Sequence, residues 1–108
     1  MKEQIKDQRL KRVFKKHKSV YIDVDNTPVV RGKPNQIIID KIKRYHSEGC
    51  YLVLWSAAGE EHAREEAEKL GIQNLFRAIL TKPETVIDDK GFNWAKYITV
   101  LIPKNLIN

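Results

Sequence analysis

Residues 20–30 read VYIDVDNTPVV, and this stretch decides the fold. It lies in a run of strand type, SVYIDV (19–24), that sets Asp23 and Asp25 one residue apart at its end. Residues i and i+2 share one face of a strand, so the two carboxylates address the same point. Like charges at that spacing repel, and burial raises the cost. A strand ending this way needs a compensating partner elsewhere in the chain.

Working outward, NTPVVRGKPNQ (26–36) carries two prolines and a glycine and reads as a loop with a small flap. A helix is expected from Asn35, which can cap it, through Ile38, Ile42 and Tyr45 to Gly49. CYLVLW (50–55) reads as a second buried strand, and SAAG as a turn. EEHAREEAEKL (60–70) reads as a helix with Ala63, Ala67 and Leu70 on one face; its acidic start suits the positive end of the helix dipole, and Gly71 ends it. RAIL (77–80), TVID (85–88) and YITVLI (97–102) read as three further strands. Strands that are apolar throughout and alternate with helices predict an α/β fold: a three-layer, Rossmann-like parallel sheet flanked by helices.

Length and charge bound the rest. The chain has 108 residues, room for one domain, and a chain of this size buries roughly two-thirds of the surface its unfolded form exposes. One cysteine, Cys50, excludes an internal disulfide and suits a reducing, cytoplasmic compartment. No apolar run approaches the roughly 20 residues of a membrane helix, and the N-terminus lacks the pattern of a secretory signal. Residues 1–18 hold eight basic and two acidic side chains, the whole of the +6 net charge, while the other 90 residues balance at twelve of each. The chain therefore divides into a basic arm (1–18), expected to be helical with Leu10, Val13 and Phe14 at helical spacing, and a neutral domain (19–108).

In open parallel sheets ligands bind beyond the C-terminal ends of the strands. Those ends carry Asp23 and Asp25, then Ser56, then Lys82, then Asp88 and Asp89. Four carboxylates gathered in one crevice need a cation, and an all-oxygen donor set without a His or Cys cluster favours Mg²⁺. Phosphate is the group that best completes such a site, with Ser56 and Lys82 placed for its remaining oxygens. Of Asp23 and Asp25, one carboxylate attacks phosphorus while the other protonates the leaving oxygen and later activates water. His17, His46 and His62 follow no metal-ligand spacing and are expected on exposed helix faces, and Trp55 is expected in the core.

YIDVDNT resembles the first motif of the haloacid dehalogenase superfamily, Asp-x-Asp-x-Thr after an apolar run. YLVLWS is similar to its second, Lys82 to its third and TVIDDK to its fourth, in the family's order over residues 20–89. The resemblance implies that Asp23 is the nucleophile that forms an aspartyl-phosphate. Asp25 is then the general acid and base, and its backbone carbonyl binds Mg²⁺. Thr27 steadies the first loop, Ser56 and Lys82 hold phosphoryl oxygens, and Lys82 also offsets the charge of Asp23. Asp89 corresponds best to the direct metal ligand, with Asp88 beside it as a ligand or a support. The second aspartate favours phosphoryl transfer over dehalogenation.

Two departures stand out. Asn26 replaces a common glycine, which suits asparagine's tolerance of left-handed turns. The intervals between motifs leave no room for a cap domain, so a capless core with an open site is expected. In this family an open site goes with macromolecular substrates or closure by a neighbouring subunit. The expected activity is a Mg²⁺-dependent phosphohydrolase that cleaves a phosphomonoester, with a nucleotide or nucleic-acid end as a candidate substrate gripped by the basic arm. The competing expectation is a non-catalytic protein that binds nucleic acid or a partner through the same arm.

Overall fold

In the computed structural model, the structure describes residues 18–25, 27, 29–30 and 33–103. The basic arm other than Lys18, and Asn26 in the first motif, lie outside the described residues. Strand β1 (Ser19–Asp23) is followed by a short antiparallel hairpin, β2 (Val29–Val30) with β3 (Lys33–Pro34), which is the expected flap. Helix α1 (Gln36–Ser47) leads to β4 (Tyr51–Ser56), helix α2 (Glu60–Leu70) and a 3₁₀ turn (Gln73–Leu75) to β5 (Ala78–Thr81), and a second 3₁₀ stretch covers Gly91–Tyr97.

Strands β1, β4 and β5 form one parallel sheet with β4 in the centre. The fold is therefore α/β with a three-stranded parallel sheet and helices, an arrangement compatible with a Rossmann-like one. Register aligns Ile22 with Leu54 and Leu54 with Ile79. These residues face the core, where Ile22, Leu52 and Leu54 join Ile38, Ile39 and Ile42 of α1 and Ala63 and Ala67 of α2 in one cluster. Each such aliphatic side chain contributes roughly 1.5–3 kcal/mol when fully buried. Both α-helices thus cover the same face. The opposite face presents Tyr21, Val53 and Ala78, then Asp23, Trp55 and Leu80, in two rows across the sheet. No described α-helix supplies a layer there, although Val53 in the central strand is fully buried.

The helix ends follow local chemistry. Asn35 is extended and its carbonyl accepts the Ile39 N–H at 3.0 Å, but its side chain makes no capping bond. Gly71 adopts the left-handed conformation (φ 71°) at the end of α2, while Ile72 N–H reaches back to the Ala67 carbonyl at 3.0 Å. That turn drives Ile72 into the core, where it is fully buried.

Two expected strands are absent. Residues 85–88 form no strand: the Asp88 carboxylate accepts the Lys90 N–H at 2.8 Å and its carbonyl accepts the Gly91 N–H at 3.1 Å. This local turn feeds the 3₁₀ stretch, and Val86 and Ile87 stay exposed. YITVLI (97–102) also pairs with nothing in the sheet. The 3₁₀ stretch runs through its first residue, and Ile98, Val100, Leu101 and Ile102 are exposed. An apolar run becomes a strand only where an edge receives it, and periodicity does not specify the edge. Among the described residues no helix is long and apolar enough to cross a membrane.

Candidate functional site

The parallel register brings the C-terminal ends of β1, β4 and β5 to one edge of the sheet. Asp23 closes β1, opposite Trp55 of β4, which is in turn opposite Leu80 of β5. Lys82 extends β5, its N–H bonded to the Ser56 carbonyl at 2.9 Å. From there its ammonium reaches back across the central strand to stand 3.9 Å from Asp23 Oδ1. On the way it passes over the Trp55 ring, 5.9 Å from the centroid. Trp55 is itself set by an edge-on contact with Tyr21, ring centroids 4.9 Å apart. The half-exposed tryptophan thus serves as a shelf for Lys82, where a core role was expected.

The remaining motif residues are distributed as follows. Val24, between the two aspartates, is fully buried, and its carbonyl accepts the Thr27 N–H at 3.4 Å. This turn carries Asp25 out of the strand, with its carboxylate exposed. Ser56 is buried, and its Oγ accepts the Ala58 N–H at 3.0 Å, which shapes the turn into α2. Its own hydroxyl proton is what it could offer an anion. Asp88 and Asp89 are exposed on their separate turn. Among the described residues no group of three or more His, Cys, Asp or Glu side chains lies close enough to hold a metal ion. The structure therefore unites Asp23 with Lys82 but does not gather the four carboxylates. Asp23 and Asp25 offer carboxylate oxygens at the end of β1, and Asp88 and Asp89 offer theirs from the turn that precedes the second 3₁₀ stretch.

The sequence matches, over residues 2–104, a family described as proteins of unknown function, DUF705. The chain belongs to the DUF705 family. It is also similar to an uncharacterized 38.0 kDa protein from the P143–LEF5 intergenic region of Autographa californica nuclear polyhedrosis virus, 25% identical over 76 residues. That similarity covers 67% of this chain and 24% of the viral protein, so the chain spans about a quarter of its relative's length. No solved structure matches the chain.

One site residue escaped the sequence reading. His62, expected on an exposed face, directs Nε2 at Asp25 Oδ1, 3.1 Å away. A signal was present: α2 follows directly on the Ser56 turn, so its first turn must lie over the C-terminal edge of the sheet, where the aspartates are. The beginning of α2 is fastened there by Glu60 N–H donating to Thr81 Oγ1 at 3.1 Å and Gly59 N–H donating to the Ser56 carbonyl at 3.1 Å. A shallow open depression lined by Ala58, Gly59, Glu60, Glu61, Arg64 and Thr81 adjoins this edge.

Proposed function

We propose that this DUF705 chain is a capless, Mg²⁺-dependent phosphohydrolase of the haloacid dehalogenase type, acting on a phosphomonoester through an aspartyl-phosphate. The observation that carries the reading is the approach of Lys82 to Asp23 from the opposite side of the central strand. A lysine there reduces the repulsion between a carboxylate nucleophile and an anionic phosphoryl group, and it stabilises the charge that develops on the phosphoryl oxygens.

The residues then divide the work. An oxygen of the Asp23 carboxylate attacks phosphorus as the bond to the leaving oxygen breaks, and Asp25, in its acid form, gives that oxygen a proton. Asp25, now a carboxylate, takes a proton from water as the water attacks phosphorus and the bond to Asp23 breaks. Ser56 and Lys82 orient the phosphoryl oxygens, and Thr27 fixes the turn between the aspartates and the flap. Asp23, Asp25, Asp89 and Asp88 are the groups that would hold Mg²⁺, which supplies charge neutralisation for carboxylates and phosphate alike.

The substrate class follows from openness and charge. The described residues between the motifs form the β2–β3 hairpin, α1, α2, the first 3₁₀ turn and β5, which supports a capless reading. An open site in a chain whose first 18 residues carry the whole +6 net charge suits a nucleotide or the phosphorylated end of a nucleic acid. The test is phosphate release from sugar phosphates, nucleotides and phosphorylated oligonucleotide ends, each with Mg²⁺, with EDTA and with Asp23→Asn. Metal-dependent release lost in the variant is expected. Salt-sensitive nucleic-acid binding that survives Asp23→Asn, with no phosphate released from any substrate, would instead mark a binding protein.

A further inference from the structure

We propose that His62 is a positioning residue for Asp25, holding its carboxyl group in the orientation that proton transfer requires. The inference rests on the phosphohydrolase reading of Asp25. It starts from a contrast in rigidity between the two partners. Asp25 lies just beyond β1 on the turn into the hairpin, with its side chain 58% exposed. An exposed carboxylate on a turn samples several rotamers, and a general acid or base that is displaced by an ångström or so loses much of its effect.

His62 comes from a fixed element. Its neighbour Ala63 is fully buried, and Ala67 one turn later is as well, so the rotation of α2 about its axis is set by the core. The start of the helix is tied to the ends of β4 and β5 through Gly59 and Glu60. The imidazole is two-thirds covered. A side chain held this way presents Nε2 at a defined point, and in the tautomer protonated there the 3.1 Å bond to Oδ1 restrains the Asp25 carboxyl group. Oδ2 is then the oxygen that carries the proton to the leaving group and later receives one from water. Charged neighbours on α2 include Glu60, Glu61, Arg64, Glu65 and Glu66; Arg64 is drawn towards Glu60 at 3.8 Å. The role assigned to His62 is hydrogen-bond donation, which glutamine shares.

The experiment compares His62→Ala and His62→Gln with the wild type on two esters, p-nitrophenyl phosphate and a simple alkyl phosphate. An alkoxide leaves poorly and needs the proton from Asp25, whereas p-nitrophenolate leaves without much help. His62→Ala is expected to lower kcat/KM for the alkyl ester by about tenfold or more, part of the roughly 10²- to 10⁴-fold that general acid catalysis supplies. The loss on the aryl ester should be several-fold smaller, and His62→Gln should restore most of the difference. A second readout uses the metal-free protein: Asp25→Asn should shift the ¹⁵N resonance of His62 Nε2. Equal losses on both esters, no loss, or an unmoved Nε2 resonance would overturn the assignment while leaving the phosphohydrolase standing. If the wild type released phosphate from neither ester, nor from the sugar-phosphate, nucleotide and oligonucleotide substrates above, the phosphohydrolase reading would fall and the role of His62 with it.

Discussion

Lys82 Nζ and Asp23 Oδ1 meet at 3.9 Å although their strands, β5 and β1, are not neighbours in the sheet. The lysine crosses the central strand above Trp55 to do so. A chance surface pair at the sheet edge would more readily join adjacent strands. Under the proposed chemistry, Lys82→Ala should lower kcat/KM for phosphate release by about 10²-fold or more, the scale of losing one charge-stabilising donor. Because both side chains are more than two-fifths exposed, water screens the pair and the urea midpoint should barely move.

The Trp55 shelf makes a milder, separable prediction. Trp55→Phe keeps an apolar ring opposite Asp23 but weakens the attraction for the ammonium, which is worth about 0.5–1 kcal/mol at an exposed site. A rise of about 2- to 5-fold in KM, with kcat nearly unchanged, is the expected kinetic result, since 1.4 kcal/mol corresponds to tenfold.

Thr81 links the third strand to the helix that carries His62. Thr81→Val keeps the shape of the side chain and removes the acceptor of the Glu60 N–H bond. A loss of about 1 kcal/mol is expected, similar to that of an N-cap acceptor, and it should be read from urea unfolding by circular dichroism.

Core and backbone offer a control that involves no chemistry. Leu54, in the centre of β4, is 1% exposed, and Leu54→Ala should cost about 2–5 kcal/mol. Gly71 stands at φ 71° with nothing near its missing side chain. Gly71→Ala should therefore cost about 1 kcal/mol through backbone strain alone. Both values are measurable by urea denaturation.

Much of this architecture was legible in the sequence because its signals were local and redundant. Residues 60–70 carried an acidic start, small residues at helical spacing and a terminal glycine, and α2 has those bounds. VYID and YLVLW were apolar throughout, the signature of parallel strands, and they pair in parallel. The approach of Lys82 to Asp23 was legible because both follow from strand ends on one edge of the sheet. TVID and YITVLI failed because strand formation depends on a partner edge, and the turn at Asp88 offered the backbone a local alternative. His62 was missed because its partner is set by the helix's docking, which a spacing rule for metal ligands does not address.

Asp88 and Asp89 lie on a turn outside the sheet, and their part in metal binding is open to a direct check. If these residues complete the Mg²⁺ set, adding Mg²⁺ with a phosphate analogue should slow amide hydrogen exchange across residues 84–90. The same addition to Asp23→Asn should have a much smaller effect. Exchange unchanged by Mg²⁺ would exclude Asp88 and Asp89 from the metal site.

The central claim is a covalent bond between Asp23 and phosphorus, and the most direct test is to look for it. The protein would be mixed with Mg²⁺ and its best phosphomonoester, quenched in acid during turnover, digested and examined by mass spectrometry. An acyl phosphate on the peptide bearing Asp23, sited at that residue and absent with EDTA, is the result expected. Phosphate release with no phosphorylated Asp23 peptide, or a phosphoryl group found on a different residue, would contradict the account.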